Sequence, residues 1–190
     1  MTYQEKLSAI REQMKNDGVG AYIIPSSDPH ISEYLPDRYK CIAFASGFTG
    51  SAGTLVITDT EAGLWADFRY FVQAEEQLRD SGYRLMKLQA QGMPEYLPYL
   101  TERLEKGSVV GFDGKLVSVQ LAEVIFGQLI ARGITLRTDL DYLDPIWKDR
   151  PELPRSGAFL LDESITGQSV NNKISEVRSV LEGVGATHHL

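Results

Sequence analysis

The sequence predicts an α/β domain, a mixed sheet with helices on both faces, followed by the start of a second, similar domain. Three observations predict it. Short apolar runs alternate with stretches of helical periodicity, which is how strands and helices of a layered α/β fold read. The early runs are separated only by turn residues, so part of the sheet should be antiparallel. Hydrophobic residues make up 43% and charged residues 24% of the 190. That composition suits a packed core and excludes disorder or a fibrous repeat.

The elements follow in order. Tyr3 to Asn16 carries Leu7, Ile10 and Met14 at helical spacing, and Asp17-Gly18 stops the helix. Val19 to Ile24 is a short apolar strand. Asp28-Pro29 pairs an N-cap aspartate with proline at the first helical position, so Pro29 to Tyr34 is expected to be a short helix. Cys41 to Ala45 and Gly53 to Thr58 read as strands around a glycine-rich turn. Gly63 to Ala66 is a strand, Tyr70 to Leu78 a helix, Leu85 to Leu88 a strand and Pro94 to Leu104 a helix. Ser108 to Phe112 is a strand turned by Asp113-Gly114. Ser118 to Arg132 is the clearest helix, with Leu121, Ala122, Ile125, Leu129 and Ile130 on one face before Gly133. Ile134 to Arg137 completes the set as a strand.

From Asp144 to Pro154 three prolines and alternating charges read as a semi-rigid linker. The expected domains are therefore 1–143, a linker over 144–156, and a segment 157–190 made of one strand, Ala158 to Leu161, and one helix, Val170 to Leu181. One strand and one helix cannot form a self-sufficient core. Either they dock on the first domain or the chain is a piece of a longer protein, and the second reading is favoured.

A net charge of -7 leaves no broad basic surface for phosphates, so nucleic acid is not an expected partner. No signal-peptide core and no run of about 18 apolar residues is present, so no membrane partner is expected and a cytoplasmic location is. Cys41 is the single cysteine, which excludes an internal disulfide and a thiolate zinc cluster. His30 lacks partners at metal-ligand spacing, and adjacent His188 and His189 point apart on an extended chain. Gly47, Gly50 and Gly53 match neither a dinucleotide fingerprint nor a Walker loop, and are better read as a tight turn with close strand approach.

The most informative stretch is Leu64-Trp65-Ala66-Asp67-Phe68-Arg69-Tyr70, where a buried strand meets a helix. Asp67 suits the N-cap. Arg69 lies in the first turn, where the helix dipole disfavours a cation by about 0.3–1 kcal/mol. It therefore either works on something anionic outside its helix, or pairs with Asp67, Glu75 or another carboxylate. No nucleophile–base pair, carboxylate pair or metal cluster is visible, so the chain shows no catalytic residue and no metal ligand.

Taken together, Ala21 to His30, Ser32-Glu33-Tyr34, Ser46 to Thr54, Trp65 to Gln73 and Ile146 to Pro151 resemble the N-terminal part of a long-form Xaa-Pro aminopeptidase. The likeness runs from about Tyr3 to Leu190. It implies a creatinase/prolidase-type N-terminal domain, a second domain of related fold and a C-terminal pita-bread peptidase domain beyond this chain. In such enzymes two divalent metals, usually manganese, are held by two Asp, one His and two Glu of that last domain. This chain would then be inactive alone, contribute substrate contact to peptides with proline second, and take part in a homodimer. The resemblance assigns the substrate contact to Arg69. Ala66 and Phe68 stand where the family commonly has Thr and Gly, and a glycine at Phe68 would allow a φ > 0 that phenylalanine resists. A non-catalytic interaction module and a creatinase or dipeptidase relative are the rival readings.

Overall fold

The computed structural model describes residues 1–89 and 94–189. They divide into two compact units, Met1–Leu153 and Pro154–Leu190. Residues 90–93, and Leu190 at the end of the segment expected over 157–190, lie outside the described residues.

Helix α1 (Tyr3–Asn16) begins with a capping box, the Thr2 side chain accepting from Glu5 N–H while the Glu5 carboxylate accepts from Thr2 N–H. Strand β1 (Ala21–Pro25) follows, then helix α2 (Cys41–Ser46), strands β2 (Thr54–Thr58) and β3 (Ala62–Ala66), helix α3 (Phe71–Gln77) and strand β4 (Arg84–Lys87). Helix α4 (Tyr96–Arg103), strand β5 (Val109–Phe112), helix α5 (Val119–Ile130) and strand β6 (Thr135–Arg137) complete the first unit.

The sheet has six strands in the order β4-β3-β2-β1-β5-β6. Strand β2 runs antiparallel to both neighbours, pairing Pro25 with Thr54 and Trp65 with Thr54. The pairs β1–β5, β5–β6 and β3–β4 are parallel, so every strand except β2 points the same way. The carboxyl ends of β1, β3, β4, β5 and β6 therefore share one edge, where ligands of open α/β sheets gather.

Side chains alternate across the sheet. Tyr22, Ile24, Leu55, Ile57 and Leu64 enter one core with α1, α2 and α3, including Leu7, Ile10, Ala45 and Ala74. Ala21, Ile23, Val56 and Trp65 enter the other with α4 and α5, including Leu97, Leu100, Ile125 and Leu129. The expected mixed sheet covered on both faces is what forms.

Four local expectations need correction. Pro29 to Tyr34 is not a helix: the Asp28 carboxylate accepts from His30 N–H at 2.9 Å and Ser32 N–H at 3.0 Å, and Ile31 then turns to φ 55°. The cap chemistry is there, but residues 29–34 bury no apolar face that would propagate a helix. Cys41 to Ala45 is helical rather than extended, with Cys41, Ile42, Ala45 and Ser46 buried on one side and Gly47 closing it at φ 84°. A short apolar run carries no period by which to tell the two apart.

Ala158 to Leu161 forms no strand, and Phe159, Leu160 and Leu161 are exposed. The linker expected over 144–156 packs within the first unit as far as Leu153. There Trp147 stacks on Phe44 with centroids 4.2 Å apart, and Arg150, its side chain 5% exposed, meets Asp141 at 2.6 Å and Asp144 at 3.0 Å. Beyond it, helices α6 (Glu163–Thr166) and α7 (Val170–Gly183) are well capped by Asp162 and Ser169.

Candidate substrate-contact site

At the carboxyl end of β3 the chain leaves the sheet through Asp67 and makes one 3-10 turn, Phe68–Tyr70, before α3. Asp67 Oδ1 accepts from the backbone N–H of Arg69 at 3.1 Å, capping the turn. The same carboxylate grips the side chain, Arg69 Nε donating to Oδ1 at 2.8 Å and Nη2 to Oδ2 at 2.7 Å. This parallel two-bond fork fixes the plane of the guanidinium. The Arg69 hydrogen bond holds the Asp67 carboxyl below the usual carboxylate range and pushes the Arg69 guanidinium up from its own.

The cation at a helix start is thus neutralised by its own cap. Glu75, the other carboxylate considered, pairs instead with Lys87 at 2.7 Å. Arg69 is 58% exposed in its side chain, and neither Nη1 nor the second proton of Nη2 is needed by Asp67.

Tyr70 locks this turn to the glycine-rich segment. Its hydroxyl lies 2.6 Å from Ser51 Oγ, and its ring meets Phe48 edge-on at 5.7 Å. A Cβ on Gly50 would lie 2.2 Å from the Phe48 ring and 2.8 Å from Tyr70. Close approach therefore explains that glycine, as the spacing suggested. Phe68 raises no strain, because the described non-glycine residues at positive φ are Ile31 and Asp80.

Beside Arg69 opens a cleft of about 710 Å³. Trp65, Phe68 and Arg69 line it from the β3 end, Leu88 from the end of β4, and Tyr96 and Leu121 from the starts of α4 and α5. Its volume suits a small ligand or a segment of a larger one. Arg69 and its partner were legible locally. Leu88, Tyr96 and Leu121 were not, since only the strand order brings them together.

The other candidates recede. His30 is exposed on the loop after β1. The Cys41 thiol is buried and pushed up to about 11, chiefly by burial, which disfavours the thiolate. His188 lies 2.9 Å from Thr187 Oγ1 through Nδ1. Among the described residues no group of three or more His, Cys, Asp or Glu converges as a metal site. No described helix is long and apolar enough to cross a membrane.

A mixed sheet with helices on both faces, and a cleft at the strands' carboxyl ends, defines an α/β domain. The chain belongs to the Creatinase/Prolidase N-terminal domain family, whose model matches residues 6–136. It is 40% identical over 180 residues to a probable Xaa-Pro aminopeptidase P of Aspergillus flavus, covering 94% of this chain and 27% of the relative. It is 39% identical over 189 residues to aminopeptidase P2 of Arabidopsis thaliana, covering 96% of this chain and 26% of that protein.

The structure of X-prolyl aminopeptidase from Caenorhabditis elegans, described as a cytosolic enzyme with a di-nuclear active site, superposes with a TM-score of 0.82 at 35% identity. The match covers 97% of this chain and 32% of that one. An N-terminal creatinase/prolidase-like domain from Corynebacterium diphtheriae, 24% identical with a TM-score of 0.52 over 70% of this chain and 93% of that one, shares the fold. The chain spans about a quarter to a third of the length of the Aspergillus, Arabidopsis and Caenorhabditis proteins.

Proposed function

We propose that this chain is the N-terminal, non-catalytic part of a cytosolic Xaa-Pro aminopeptidase, a metallo-hydrolase that removes the first residue from peptides with proline second. The observation that carries this reading is the likeness to X-prolyl aminopeptidase along almost the whole chain, at a TM-score of 0.82. The di-nuclear centre described for that enzyme supports two metal ions in the whole protein, manganese in our reading. No cluster of described residues suits such a centre, and no catalytic step is assigned to this chain.

Its part is to bind and orient. Arg69 donates to the peptide backbone, and Asp67 holds its fork in place at 2.7 and 2.8 Å. Because Asp67 already neutralises the guanidinium, the remaining donors suit a neutral amide carbonyl better than they suit a carboxylate. We extend the reading to a homodimer, for which Val119, Phe126 and Ile130, exposed on α5, offer apolar surface.

The test compares residues 1–190 with the full-length gene product, each supplied with manganese and Xaa-Pro peptides. The expected result is release of the first residue by the long protein alone. Turnover by residues 1–190, or none by the long protein, would overturn the assignment.

A further inference from the structure

We propose that the cleft beside Arg69 is a side-chain subsite for an apolar residue of the bound peptide, with Phe68 as its specificity-determining lip. The inference rests on the substrate-contact reading above and deepens it. Phe68 is 70% exposed although it directly follows the capping residue of a tightly ordered turn. An aromatic side chain so exposed forgoes the burial that would otherwise favour it. Its neighbour two positions before, Ala66, is 1% exposed, so the exposure begins where the chain leaves the sheet.

The lip is held from three sides. Asp67 caps the turn at 3.1 Å, Tyr70 is tied to Ser51 at 2.6 Å, and the Tyr70 ring rests against Phe48. Phe68 is thereby presented on a rigid turn, which keeps the ordering cost of binding low. Trp65 adds apolar wall on the β3 side and Leu88, Tyr96 and Leu121 supply it across the cleft, while Arg69 is the one cation at the rim among the described lining residues.

That arrangement recognises two adjoining groups of one ligand. The outward donors of Arg69 take a backbone carbonyl, and the apolar walls take the side chain next to it. A Phe, Leu or Ile in the peptide fits this chemistry, whereas an acidic side chain would place its charge beside the Asp67 carboxylate and against aromatic walls. The cleft volume of about 710 Å³ leaves room for the largest of these side chains together with its backbone. Packing an aromatic or aliphatic group against Phe68 should favour it modestly, on the scale of one aromatic contact.

The experiment uses the full-length, manganese-loaded protein and two sets of Xaa-Pro peptides, identical except that each position after proline carries Ala or Phe in turn. The wild type is expected to prefer Phe at one of these positions, and Phe68→Ser to reduce that preference about fivefold, mainly through KM. Phe68→Leu, which restores an apolar lip, is expected to recover most of it. Equal Phe-to-Ala ratios in wild type and Phe68→Ser, with Xaa-Pro peptides still cleaved, would overturn the subsite and leave the aminopeptidase reading standing. Absence of any Xaa-Pro turnover in the wild type would overturn both.

Discussion

Helices α1 and α7 are both 14 residues long, and both start with a hydroxyl side chain accepting from a first-turn N–H, Thr2 from Glu5 and Ser169 from Asn172. Their fates differ. Helix α1 buries Leu7, Ile10 and Met14 against the sheet, whereas α7 leaves Ile174, Val177 and Val180 exposed and buries nothing. Capping and periodicity are local and suffice to place a helix. Burial is supplied by other parts of the chain, and among the described residues the sheet lies in the first unit. An element can therefore be well formed and still contribute almost nothing to the stability of a core.

Matched truncations should break or sharpen that contrast. Leu97→Ala removes a fully buried side chain from α4 and is expected to lower stability by about 3 kcal/mol, through lost transfer energy and the cavity left behind. Ile174→Ala, at a 43% exposed position of α7, is expected to stay within about 0.5 kcal/mol of wild type. Urea unfolding of residues 1–190 measures both. Equal costs would mean that α7 is buried after all.

A smaller effect of opposite sign is expected at Tyr83. Its hydroxyl is buried with no hydrogen-bond partner among the described groups, and burial pushes its ionisation well above the usual tyrosine value. Tyr83→Phe deletes only that oxygen and should raise stability by about 1 kcal/mol, because an unpaired buried polar group is costly to keep. A loss of stability in the same urea experiment would show that the hydroxyl is satisfied.

Much of the fold was legible. Helix α1 was read to its observed ends because three apolar residues recur at helical spacing before Asp17-Gly18, although the capping box at Thr2 and Glu5 went unread. The antiparallel start of the sheet was legible because only turns separate β2 from β3. Misreadings came where local chemistry was ambiguous or unsupported. Cys41 to Ala45 was too short to show a period, Asp28 capped a turn that no apolar face extended, and Ala158 to Leu161, an apolar run without a period of its own, is not extended as a strand.

The site divides in the same way. Asp67 and Arg69 were legible because their partnership spans two residues. The opposing walls at Leu88, Tyr96 and Leu121 depend on β4 pairing with β3 and on α4 and α5 covering that face, facts of topology that no short window holds. The buried Arg150 ion pairs were missed for a different reason. Proline and charge in Asp144 to Pro154 read as linker, whereas Arg150 there pairs with Asp141 and Asp144 on the first unit.

The central claim is that Arg69 is held by Asp67 in order to meet a peptide, rather than to stabilise the turn. The direct test is kcat/KM of the full-length protein on an Xaa-Pro peptide for Arg69→Ala, read beside its melting temperature. A surface ion pair contributes at most about 1 kcal/mol to folding, whereas a charged donor lost from a substrate contact costs about 1.5–3 kcal/mol. The expected result is a fall in kcat/KM of about tenfold to a hundredfold with a nearly unchanged melting temperature, and only partial recovery in Arg69→Lys, which lacks the planar fork. Unchanged kcat/KM together with a lowered melting temperature would make the pair structural and contradict the account.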